Sequence, residues 1–150
     1  MKYFSQEKKY SCGASAIRNC ISALGGQIPS EKYIRRIAQT TIYGTDTNGI
    51  ARAFLKLNYK IDLFYTEFQN EFKYKLLEIL NAGKVAITMT DNETHWIAVT
   101  GIKNNNIIFI DSDFKKIKQE FTIDEFVTIT RNIVKQKKIN YWYLIIIENE

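Results

Sequence analysis

The chain contains one histidine, His95, and two cysteines, Cys12 and Cys20. Histidine is the side chain whose ordinary pKa suits proton transfer near neutrality. A cysteine thiol becomes a nucleophile once it loses its proton. His95 opens the apolar stretch Thr94-His95-Trp96-Ile97-Ala98-Val99, and Trp96 alternates to the opposite strand face as a packing residue. Cys12 stands where an irregular N-terminal stretch meets a helical pattern, followed by Gly13 and Ala14. A thiol at a helix start feels the dipole and unpaired N–H groups, which favour the thiolate. Gly13 leaves room there for a substrate backbone to approach the sulfur. Cys20 sits mid-helix among apolar residues and reads as core. The two cysteines are eight residues apart on one helix, hence roughly 12 Å apart along its axis. A disulfide needs a closer approach, so both are expected as free thiols.

Two further residues extend the set. Gln6 could place its amide beside the sulfur, where with the Cys12 N–H it would make an oxyanion hole. Asp111 closes the strand Ile107-Ile108-Phe109-Ile110. A hairpin through Gly101 and Asn104-Asn105-Asn106 would return its carboxylate to the imidazole, to orient the ring and support the imidazolium. Asp113 would share that face if the strand continued, and competes for the same role. Taken singly, Gln6 and Asp111 read rather as polar residues on the surface. With no CxxC or HxxxH spacing the chain makes a poor zinc site, and no metal or cofactor is expected.

The elements that must position these residues change character along the chain. Cys12 to Leu24 carries Ala16, Ile17, Cys20, Ile21 and Leu24 at helical spacing and stops at Gly25-Gly26. Pro29-Ser30 opens a second helix with Ser30 as N-cap and Tyr33, Ile34 and Ile37 inward. A third follows Gly44 to Thr47, with Ile50, Ala53, Phe54 and Leu57 on one side, and a fourth spans roughly Phe72 to Leu80. Then β-branched and aromatic runs take over: Val85 to Met89, His95 to Ile102, Ile107 to Asp111, Ile117 to Phe121, and Trp142 to Ile147. Helices first and hairpin-connected strands afterwards is an α+β layout. At 150 residues the chain has the size of one domain, 1–150, with a single core.

Together the residues match a family. Gln6-x5-Cys12-Gly13-Ala14, the strand His95-Trp96-Ile97-Ala98-Val99, Ile110-Asp111, and the segment Gly44-Thr45-Asp46-Thr47-Asn48-Gly49-Ile50 resemble the bacteriocin-processing cysteine peptidases. Those are papain-like domains at the front of peptide-exporting ABC transporters, which cut leader peptides after a double glycine. The resemblance implies a papain-like fold, with N-terminal helices packed on a C-terminal antiparallel sheet. It implies Cys12 as nucleophile, His95 as base and then acid, Asp111 as orienter, and Gln6 as oxyanion donor, acting on a peptide or protein substrate through an acyl-enzyme. Where the family commonly has an acidic residue before its cysteine this chain has Ser11, and Ser112-Asp113 replaces a frequent proline. With no transmembrane or ATPase segment following in the sequence, a free-standing member is expected. The same triad serves acyltransferases, transglutaminase-like enzymes and deamidases. A form that had lost catalysis would remain a peptide-binding module.

The bulk composition is that of a globular chain, with 45% hydrophobic and 25% charged residues, and excludes a disordered one. The net charge of +5 is spread over short lysine groups without interleaved aromatics, so a solvated surface is expected rather than a nucleic-acid partner. The N-terminus lacks an apolar signal region, and the apolar run Tyr141 to Ile147 is too short to cross a bilayer. A cytoplasmic location is expected. No signature of an oligomeric state stands out.

Overall fold

Twelve residues with small and branched apolar side chains at helical spacing form α1 (Cys12–Ala23), which ends before Gly25, a residue at φ 77°. The computed structural model describes residues 2–150. In α2 (Glu31–Ile37) the Ser30 hydroxyl accepts the Tyr33 N–H, the cap expected from sequence. Asp46 caps α3 (Thr47–Lys56) by accepting the Gly49 N–H at 2.7 Å. The strand β1 (Lys60–Thr66) follows, then α4 (Gln69–Asn81).

The later chain supplies β2 (Val85–Thr90), β3 (His95–Lys103), β4 (Asn106–Ile110), β5 (Lys118–Thr122), α5 (Ile123–Ile129), β6 (Asn132–Val134) and β7 (Ile139–Glu148). All pairings are antiparallel in the order β1-β7-β2-β3-β4-β5, with β6 beside the start of β7. The fold is α+β and papain-like. Its helices occupy both faces of the sheet, because strand side chains alternate between two apolar layers. One layer joins α1, α2 and α3 to Ile87, Trp96, Ala98 and Ile145. The other joins α4 and α5 to Ile97, Val99, Phe109 and Trp142.

The hairpin needed to bring Asp111 back to His95 is present. Asn104 and Asn105 both take positive φ, 51° and 63°, and make the tight turn between β3 and β4. Gly101 lies inside β3, where the register with β4 shifts, and is no part of that turn. Beyond β4, the Asp111 N–H donates to the Ile117 carbonyl at 2.8 Å and holds the returning chain.

Candidate active site

Cys12 is the first residue of α1, where backbone N–H groups lack helical partners. It is partly accessible and its thiol is free. His95, the first residue of β3, approaches it from the sheet, with Asp111 hydrogen-bonded to its ring and Cys12 near enough to act on the ring's charge. His95 Nε2 lies 2.6 Å from Asp111 Oδ1, which leaves Nδ1 as the nitrogen available to the thiol. Burial alone would push the ring's pKa down. The hydrogen bonds and charges of Asp111 and Cys12 outweigh it and hold the ring up, at about 10. Asp111 is 6% exposed. Asp113, the competing carboxylate, is exposed, and it is its backbone N–H that reaches the site, donating to Asp111 Oδ1 at 3.2 Å.

Gln6 stands beside this group through the 112 region. Its N–H donates to the Ser112 carbonyl, and its Oε1 accepts the Ser112 hydroxyl at 2.9 Å. Its Nε2 donates to the carbonyls of Lys8 and Lys9, at 2.9 and 3.2 Å. The amide thus braces the turn leading into Cys12. Cys20 is fully buried, its Sγ 3.5 Å from the Ala86 carbonyl, and burial pushes its thiol well above the usual range.

Gly13 does not open a path for substrate. A Cβ there would lie 2.9 Å from Thr45 Cβ and 3.1 Å from Trp96 Cδ1, so the missing side chain makes room for the protein's own wall. Trp96 Nε1 donates to the Thr45 carbonyl at 2.7 Å and fixes that wall. Cys12 thereby faces a cleft of about 690 Å³, bordered by Tyr10, Tyr43, Thr45, Met89, Glu93 and Trp96. Among the described residues no group of three or more His, Cys, Asp or Glu is placed to hold a metal ion, and no helix is long and apolar enough to cross a membrane.

Supporting residues that sequence reasoning passed over lie under the N-terminal strap. Ser15 and Asn19, both fully buried, bond the Phe4 carbonyl at 3.0 Å each, and the Phe4 N–H donates to Asn19 Oδ1 at 2.8 Å. The Ser22 hydroxyl donates to the Lys2 carbonyl. This i, i+4, i+7 polar stripe on an otherwise apolar helix was the available signal. Glu31, fully buried on α2, accepts the Glu7 N–H with both oxygens at 3.2 Å. The strap and Glu31 together set where Gln6 and the turn before Cys12 lie.

Residues 1–145 match the family described as the peptidase C39 family. Over 135 residues the chain is 27% identical to the lactococcin-A transport/processing ATP-binding protein LcnC of Lactococcus lactis subsp. lactis, covering 85% of this chain. It spans 18% of that relative's length. Solved structures of similar fold include the peptidase domain of Streptococcus ComA, described as a bifunctional ABC transporter of a quorum-sensing pathway. It has a TM-score of 0.71 and 17% identity, with 99% of this chain and 98% of that chain covered. A double glycine motif protease from an AMS/PCAT transporter, solved with a leader peptide, gives 0.65 and 14%, covering 96% and 91%. A C39-like peptidase from Bacillus anthracis gives 0.63 and 9%, covering 99% and 96%. At these identities the likeness is one of fold.

Proposed function

The chain belongs to the peptidase C39 family and is a cysteine peptidase, and from that premise we propose that it cuts a peptide through an acyl-enzyme on Cys12, with His95, Asp111 and Gln6 completing the machinery. His95 holds the proton taken from Cys12, and Cys12 Sγ attacks the scissile carbonyl as the thiolate. The resulting oxyanion meets the Cys12 N–H at the start of α1 and the Gln6 amide, which exchanges its longer bond, to Lys9, for the new partner. His95 then protonates the leaving amine, and water releases the acid from the thioester. Asp111 keeps the ring in place throughout.

The observation that carries this reading is the 2.6 Å contact of His95 Nε2 with Asp111 Oδ1, on a ring that stands close to Cys12. A ring that holds its proton to about pH 10 is stocked to give it to a leaving amine near neutrality. For the substrate, the likeness to a double-glycine protease solved with its leader peptide favours a peptide with small residues before the cut. The wall of Thr45 and Trp96 drawn in against Gly13 is consistent with a slot beside Cys12 that admits such residues.

A fluorogenic peptide with a central Gly-Gly tests the assignment. Cys12→Ala should abolish cleavage, and His95→Ala should lower kcat/KM by about 10²- to 10⁴-fold. Iodoacetamide should label Cys12 and spare Cys20. Inactivation that tracks labelling of Cys20 alone would overturn the reading.

A further inference from the structure

The cleft at Cys12 does not stop at its own rim. Tyr10, Thr41 and Ile42 border it and also border a second hollow of about 360 Å³ that runs on to α2. There the lining turns basic, with Lys32, Arg35 and Arg36. These cations differ in what they already serve. Arg35 is committed inward, 3.6 Å from buried Glu31 and 3.9 Å from Glu7. Lys32 and Arg36 are exposed, stand i, i+4 on the same helical face, and make no ion pair among the described residues. The Arg36 guanidinium lies 5.1 Å from the Tyr33 ring centroid, a contact that holds the head group without neutralising it. Lys9, on the cleft's own border, continues the positive character toward Cys12. The carboxylates near this route are spoken for: Glu7 and Glu31 by Arg35, Asp46 by its helix cap. Glu93, also on the cleft border, lines no part of the second hollow.

We propose that Lys32 and Arg36 form a remote subsite for acidic side chains of the peptide whose scissile bond lies at Cys12. The inference rests on the peptidase reading and adds to it a class of substrate, one with a carboxylate-bearing segment flanking the cut. An extended peptide leaving the cleft between Tyr10 and Ile42 passes over both cations. A paired lysine and arginine with no carboxylate of their own attract a fixed anion at modest, salt-sensitive strength.

Short fluorescein-labelled peptides with a central Gly-Gly test this. Each carries a run of Glu, or a matched run of Gln, on one side of the glycines or the other. They are titrated by anisotropy into Cys12→Ala protein, and the parent enzyme is assayed on the same peptides. One Glu peptide should bind about three- to tenfold more tightly than its Gln twin at low salt, with the gap closing as salt rises. The double variant Lys32→Glu/Arg36→Glu should reverse the preference, in favour of a Lys-run peptide. Equal binding of both twin pairs with cleavage intact would remove the subsite and leave the peptidase. A Glu preference that disappears on charge reversal, with no peptide cut by the parent, would keep the subsite and remove the peptidase reading. A Glu preference that survives charge reversal would place the acidic subsite elsewhere and overturn the proposal.

Discussion

Asp111 and Asp113 offer His95 the same functional group, and what separates them is where the chain turns. At position 111 the backbone is still tied to Ile117, so the carboxylate stays in the sheet's shelter at the ring. Two residues on, the side chain has left for solvent. The pairing has a pH signature. His95 titrates near 6.5 when unfolded and about 10 when folded, a raised value. Its stabilising contribution is therefore complete below about pH 6.5 and lost as the pH climbs to about 10. Asp111→Asn should melt below the parent at pH 6.5, and the gap in Tm should narrow steadily toward pH 10. A gap that stays level across that window would contradict the assignment. The residues gathered at this site were legible because a lone histidine and a cysteine at a helix start narrow the choice. Ser15, Asn19 and Glu31 were not, since a buried polar residue declares itself only through the backbone group it meets.

At the scale of elements, the wall of the cleft depends on how closely α3 approaches the chain before it. A Cβ on Gly49 would lie 2.4 Å from the Ala38 carbonyl oxygen and 2.8 Å from Thr45 Cγ2. One neighbour is backbone, so α3 must move outward and carry Thr45 with it. Gly49→Ala should lower stability by about 1–3 kcal/mol in urea titration. It should also raise KM, as the Trp96-to-Thr45 bond is disturbed. Four helices and five strands were readable from periodicity, and the exceptions have causes. Edge strand β1 leaves Leu63 and Tyr65 mostly exposed, 62% and 59%, which blurs its alternation. The short β6 has three residues. Helix α5 could have been found, because Thr122 and Glu125 spell a capping box that the structure completes.

Over the whole molecule the order of strands in space departs from their order in the chain. The last strand, β7, lies between β1 and β2, bonded to both, while β5 stands at the far edge. Periodicity marks a strand but not its neighbours, so this placement could not be read from sequence. It sets a ranking for amide hydrogen exchange, with the amides of β7, β2 and β3 slowest and those of β5 among the fastest. Rapid exchange throughout β7 would contradict the topology.

That central placement also orders events in time. Synthesis runs from the N-terminus, so Cys12, His95 and Asp111 all leave the ribosome before the strand that joins β1 to β2 exists. Ile145 and Ile147 of that strand belong to the apolar layer beneath α1, and they arrive last. Closure of the sheet is thus a late step, and a ribosome stalled short of β7 should carry Cys12, His95 and Asp111 on a chain whose β1 and β2 are still unjoined.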